Sequence, residues 1–153
     1  VNPDPIDTRK KAPFPEETIL VNLNTAATTA LVTVSGIGPK TARTILKYRS
    51  RILFFHSLDQ LAEVWGIRPE NLERMKPQLE IGNTTDLPHL NINTATGKDL
   101  GRHMYIDYKI ADRIVAYREQ HGAFTGRTDL EKIIGLDAEF LDKIEPYLQF
   151  SLP

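Results

Sequence analysis

Along most of this chain the apolar positions recur at spacings of three and four, and nowhere do they alternate with polar ones long enough to make a strand. Ala42, Ile45 and Leu46 share one face of a segment running from Pro39 to about Arg51, and a proline suits the first position of a helix. Ahead of it, Thr25 is placed to cap a helix that begins at Ala26 and runs to about Val34, where Gly36-Ile37-Gly38 stops it. Ser57 can cap a third helix carrying Leu58, Leu61 and Val64 and ending at Gly66; a fourth starts at Pro69 and buries Leu72 and Met75. The pattern predicts an all-α fold.

The whole pattern occurs twice. Asn22-Leu23-Asn24-Thr25-Ala26 returns 69 residues later as Asn91-Ile92-Asn93-Thr94-Ala95. The same offset pairs Lys40 with Lys109, Ile45 with Ile114, Tyr48-Arg49 with Tyr117-Arg118, Phe55 with Phe124 and Gly66 with Gly135. A duplication accounts for this, with one domain at 21–81, a linker at 82–89 and a second domain at 90–150. In the second, Leu100, Ile106, Ala111, Ile114, Phe124, Leu130 and Leu141 keep the core pattern. Residues 1–20 hold Pro3, Pro5, Pro13 and Pro15, which favour an extended arm. Asn24 and Asn93 are expected to cap or staple the chain locally. Tyr48-Arg49 and Tyr117-Arg118 are expected to pack, each arginine on a nearby carboxylate, and Trp65 to sit in the core or in partly exposed packing, with base stacking as the lesser alternative.

Composition removes several classes of function. With 41% hydrophobic and 25% charged residues the chain is an ordinary globular one. No cysteine is present, which excludes disulfides, zinc ribbons and thiol catalysis. No run approaches the roughly 18 apolar residues of a membrane span. The start at Val1, without methionine, reads as a mature or trimmed piece. His56, His89, His103 and His121 lack metal-ligand spacing, and no Ser/His/Asp grouping, carboxylate pair or Walker-type loop is found. The expectation is a non-enzymatic protein without a cofactor.

The net charge of -1 conceals an asymmetry. Residues 21–81 hold eight Lys and Arg against five Asp and Glu, whereas 90–150 hold eight against ten. The chemistry lies in Ser35-Gly36-Ile37-Gly38-Pro39-Lys40. Two glycines around one apolar plug allow a tight turn with no side chain between the backbone and an approaching ligand. Amides at Gly38 and Lys40 then lie at a helix N-terminus, where partial positive charge favours an anion such as a phosphate diester. Lys40, Arg43 and Lys47 follow on one helix face as a basic stripe, with Arg51 one turn beyond. An ordinary helix-helix turn beside a solvated charged face is the plainer alternative.

Val21-Asn22-Leu23-Asn24-Thr25-Ala26, Gly36-Ile37-Gly38-Pro39-Lys40-Thr41-Ala42, Ile45, Tyr48-Arg49 and Leu58-x-x-Leu61 together resemble the helix-hairpin-helix domain of ComEA-type competence proteins. The resemblance spans both repeats. It implies two tandem helix-hairpin-helix domains, SAM-like or RuvA-C-like, each of four to five short helices, with Val64-Trp65-Gly66-Ile67-Arg68-Pro69 as a second hairpin in the first domain. It implies weak, sequence-independent binding of double-stranded DNA, with Gly36, Ile37, Gly38, Pro39, Lys40, Arg43, Lys47 and Arg51 as the main contact and Gly66, Ile67 and Arg68 as a weaker one. It also implies a possible monovalent cation at the carbonyls of Val32, Val34 and Ile37. A DNA receptor in uptake would be extracytoplasmic or membrane-anchored; otherwise the cytoplasm is expected. The second domain departs from the pattern, with Met104-Tyr105-Ile106-Asp107-Tyr108 where the glycines stood, Asp112 for Arg43 and Ala116 for Lys47. A scaffold that binds a protein partner through this second domain, and no DNA, is therefore the alternative.

Overall fold

A computed structural model describes residues 19–153, so the arm's prolines lie outside the described residues. Each repeat closes on itself by a two-residue parallel pairing of its first and last segments. In the first, β1 (Val21–Asn22) lies beside β2 (Leu79–Glu80); in the second, β3 (Leu90–Asn91) lies beside β4 (Leu148–Gln149). Pairings this short show no period-two signal, which is why the hydrophobic pattern did not reveal them. The fold is otherwise helical. The first repeat holds α1 (Thr28–Leu31), α2 (Pro39–Ile52), a 3₁₀ helix at Leu58–Glu63, α3 (Pro69–Met75) and a 3₁₀ turn at Lys76–Gln78. The second holds α4 (Gly97–Arg102), α5 (Tyr108–His121), α6 (Arg127–Leu130), α7 (Ala138–Ile144) and a 3₁₀ turn at Glu145–Tyr147.

The amphipathic face read from sequence builds the core. Ala42 and Ile45 on α2 are sealed against Leu31, Ile37, Leu61, Leu72 and Met75. The seven residues expected to form the second core are likewise buried. Ser57 caps its helix through a capping box in which its hydroxyl accepts the Asp59 N–H at 3.1 Å, while Gln60 reaches back to the Ser57 amide.

Three local expectations fail. Thr25 does not cap α1: that helix starts at Thr28, with Ala27 before it and no side-chain cap, because residues 23–25 are spent on a turn closed by the Asn22 carbonyl. Asn24 is not a local staple either. Its amide donates to the carbonyls of Phe55 (2.9 Å) and Ile81 (3.1 Å) and accepts the Phe55 N–H, strapping three distant segments together. Asn93 does the same with Phe124 and Ser151. Among the described residues Arg49 and Arg118 find carbonyls and not carboxylates: Arg49 donates to Leu23 and Ala26, Arg118 to Ile92 and Ala95. The repeated motifs therefore divide the work: each arginine satisfies carbonyls of the first turn, and each second asparagine ties that turn to two later segments.

Candidate nucleic-acid interface

Four hairpins share one geometry, two in each repeat. In the first, the Ile37 N–H donates to the Val34 carbonyl at 3.0 Å and buries the isoleucine beneath the turn. The same bond recurs from Ile67 to Val64, from Ile106 to His103 and from Leu136 to Ile133. Gly36 has φ +101° and a Cβ there would meet Met75 Cγ at 3.3 Å, so both conformation and close approach call for glycine. Gly38 differs: at φ -94° and ψ 179° it is ordinary extended backbone with open space around it. Its missing side chain leaves a gap at the start of α2.

That gap separates the repeats. Gly38 caps α2 with no side chain, and Pro39 supplies no N–H. Among the described residues nothing accepts from the amides of Lys40 and Thr41. The two helices that follow hairpins in the second repeat are closed by their own acids. Asp107 accepts the Ile110 N–H at 2.8 Å, and Asp137 accepts the Phe140 N–H at 2.9 Å. The start of α2 is electropositive and open, whereas the helix starts after both hairpins of the second repeat are occupied by carboxylates.

The sequence of both repeats has matches among known proteins. The family described as helix-hairpin-helix motif covers residues 16–80 and 87–149, one match on each repeat. The chain belongs to the helix-hairpin-helix family. It is 33% identical over 152 residues to "Endonuclease/exonuclease/phosphatase family domain-containing protein 1" of Rattus norvegicus, and 31% identical to the protein of that name in Homo sapiens. Each alignment covers 81% of this chain, which spans about a quarter (27%) of those relatives. "ComE operon protein 1" of Bacillus subtilis is 34% identical over 62 residues, 40% of this chain and 30% of that protein. The tandem helix-hairpin-helix matches and the ComE similarity support DNA binding in general terms.

The side chains expected at the interface fall into three groups. Lys40, Arg43 and Lys47 are exposed together along α2. Arg51 leaves that stripe: its Nε donates to the Arg102 carbonyl at 3.0 Å, in the second repeat. The helix start after the second hairpin of the first repeat is less open than that of α2. Gly66 has φ +95°, but the Asn71 N–H is taken by the Arg68 carbonyl and Glu70 stands in the first turn of α3. Trp65 is neither core nor packing: it is 78% exposed. Of the three carbonyls named for a cation, that of Val34 accepts the Ile37 N–H, while among the described residues those of Val32 and Ile37 accept no N–H.

Two residues at the first hairpin were not legible in the sequence. Arg74, at the end of α3, lies against Gly36, its Nε 3.4 Å from where a Cβ would be. Gln78 braces the turn, accepting the Ser35 N–H at 2.9 Å and donating to the Arg74 carbonyl. Both approach from the far end of the repeat, so no local pattern marks them.

Tyr105, in the turn that replaces the glycines, has a different use. Its hydroxyl and that of Tyr48 both donate to Glu63 Oε1 at 2.5 Å, and Gln60 donates to Tyr105 and to Tyr147. Burial, reinforced by the Glu63 carboxylate, raises both the Tyr48 phenol and the Tyr105 phenol, the latter to about 12. Alongside, the Met104 N–H donates to the Arg51 carbonyl at 2.8 Å, and the Tyr147 hydroxyl donates to that of Phe54. His103 is 3% exposed; its Nδ1 accepts the Tyr105 N–H and its Nε2 meets the Ile52 carbonyl at 3.0 Å. The hairpin that lost its glycines docks the second repeat onto the first.

Proposed function

We propose that this chain is a non-catalytic, sequence-independent binder of double-stranded DNA. One observation carries the proposal. The amides at the start of α2 are open beside an exposed basic stripe, whereas the corresponding start in the second repeat is closed by Asp107. A phosphate seats on the Gly38–Lys40 backbone, Gly36 and Ile37 shape the turn, and Pro39 leaves no N–H between the donors. Lys40, Arg43 and Lys47 add charge along the flanking backbone, Arg74 adds a further cation at the turn, and Gly66, Ile67 and Arg68 form a secondary contact. Contacts of this type go to phosphate, so they position the duplex without reading its bases. A monovalent ion at the Val32, Val34 and Ile37 carbonyls would tighten the turn from behind.

Two narrower roles, one suggested by the ComEA-type resemblance and one by the name of the longer relatives, both rest on this binding. A chain of this kind would hold DNA during uptake, or hold duplex for a nuclease or phosphatase domain in a longer protein. The test common to both is a salt titration. Fluorescence anisotropy with two unrelated duplexes should give equal affinities and a log-log salt slope of about -2 to -4, for about two to four phosphates neutralised. No binding at low salt would leave the protein-scaffold reading in its place.

A further inference from the structure

Each repeat has a groove between its long helix and its second hairpin, and the two are built from positions 69 residues apart. In the first repeat Lys47, Tyr48, Arg51 and Trp65 line a hollow of about 520 Å³, joined by Met104 from the second repeat. In the second, their counterparts Ala116, Tyr117, Gln120 and Ile134 line one of about 390 Å³. The groove is thus a property of the fold, and its chemistry differs between the copies. Both carry two cations, Lys47 and Arg51 in the first and Arg113 and Lys132 in the second, but only the first has an indole and a thioether, where the second has an isoleucine at the tryptophan's position.

Trp65 stands 78% exposed at the turn and contributes nothing to the core. Its π-face and the two cations lie on one hollow, the combination that stacks a base and holds its phosphate. The one acid there, Glu63, has an oxygen engaged by the Tyr48 and Tyr105 hydroxyls, so two cations face a single, partly satisfied carboxylate. Lys47 also ends the stripe that begins at Lys40. At about 1.5 Å of rise per residue the two are roughly 10 Å apart along the helix. A strand leaving the hairpin at about 3.4 Å per nucleotide reaches the groove within about three nucleotides.

We propose that this groove takes an unpaired nucleobase, stacked on Trp65 with its phosphate on Lys47 and Arg51. The favoured ligand is then a duplex with a single-stranded tail, in preference to a blunt one. This rests on the phosphate-holding hairpin proposed above. Trp65 is the sole tryptophan, so its emission reports directly on the groove. The full chain is titrated at low salt with a blunt duplex and with the same duplex carrying a short thymine tail, following labelled-DNA anisotropy and tryptophan emission together. The tailed duplex should bind about tenfold tighter and quench the emission, while the blunt duplex binds without quenching. Trp65→Ile, which copies the second repeat, should erase the preference for the tail and leave blunt-duplex affinity unchanged; Trp65→Phe should keep part of it. Unchanged emission with tailed duplex bound, or a tail preference that survives Trp65→Ile, overturns the base site alone. Failure of both DNAs to bind overturns the hairpin reading and this one together.

Discussion

Replacing Gly38 with aspartate transplants into the first repeat the device that closes the second. Gly38 sits at φ -94° and ψ 179°, close to Asp107 at φ -85° and ψ 169°, and a Cβ there meets no atom within 4 Å. Gly38→Asp therefore needs no backbone change, and its carboxylate reaches the N–H of Thr41 as Asp107 reaches that of Ile110. The helix should gain: aspartate exceeds glycine as an N-cap by a few tenths of a kcal/mol, with about 0.3–1 kcal/mol more from the dipole. Duplex binding should fall, because the amides that held a phosphate are filled and a negative charge stands beside it. Loss of one charge-assisted hydrogen bond is worth about 1.5–3 kcal/mol, or roughly 10- to 150-fold in Kd, with the salt slope shallower by about one. Gly38→Ala separates occupancy from bulk: it adds a Cβ in open space, leaves the amides free and should bind within about twofold of wild type. Anisotropy against one duplex, with thermal melts of all three proteins, measures both effects. A folded Gly38→Asp that binds DNA as wild type does would refute the site.

Lys40→Glu with Arg43→Glu should lower affinity strongly and flatten the salt slope by about two while leaving the melt within about 0.5 kcal/mol, since both residues are exposed; an unchanged slope would move the interface elsewhere. The seam should respond to acid through His103. Burial holds its imidazole down at about 4, from an ordinary value of 6.5. Its folded pKa being depressed, its contribution is complete above pH 6.5 and is lost as pH falls from 6.5 towards 4, because the unfolded chain takes up the proton first. The loss is about 2 kcal/mol at pH 5 and about 3 kcal/mol near pH 4. Urea unfolding of wild type and His103→Gln at pH 7 and pH 5 isolates this contribution, and parallel pH profiles for the two proteins would remove His103 from the account.

The duplication, the helical class, the long helices at Pro39 and Tyr108, and the first hairpin were determined by local chemistry, which a sequence displays. Helical spacing, prolines at helix starts and a glycine at φ +101° each act within a few residues. So does the contrast between Gly38 and Asp107, since an N-cap reaches only the turn that follows it. Other features belong to the tertiary structure because their partners lie far along the chain. Asn24 reaches Phe55 and Ile81, Arg49 reaches the carbonyls of the first turn, and Arg74 and Gln78 arrive at a hairpin some forty residues earlier. Tyr105 is the clearest instance. Its sequence shows a phosphate site lost, since a bulky residue stands where glycine allowed close approach. Only the packing of one repeat on the other shows what replaced it: a hydroxyl 42 residues from Glu63 that joins the two halves. Trp65 divides in the same way. A tryptophan between Val64 and Gly66 suggests burial by its hydrophobicity, but the hairpin turns that position outward while Ile67 faces in, and the hollow beside it exists only once α2 and Met104 stand on either side.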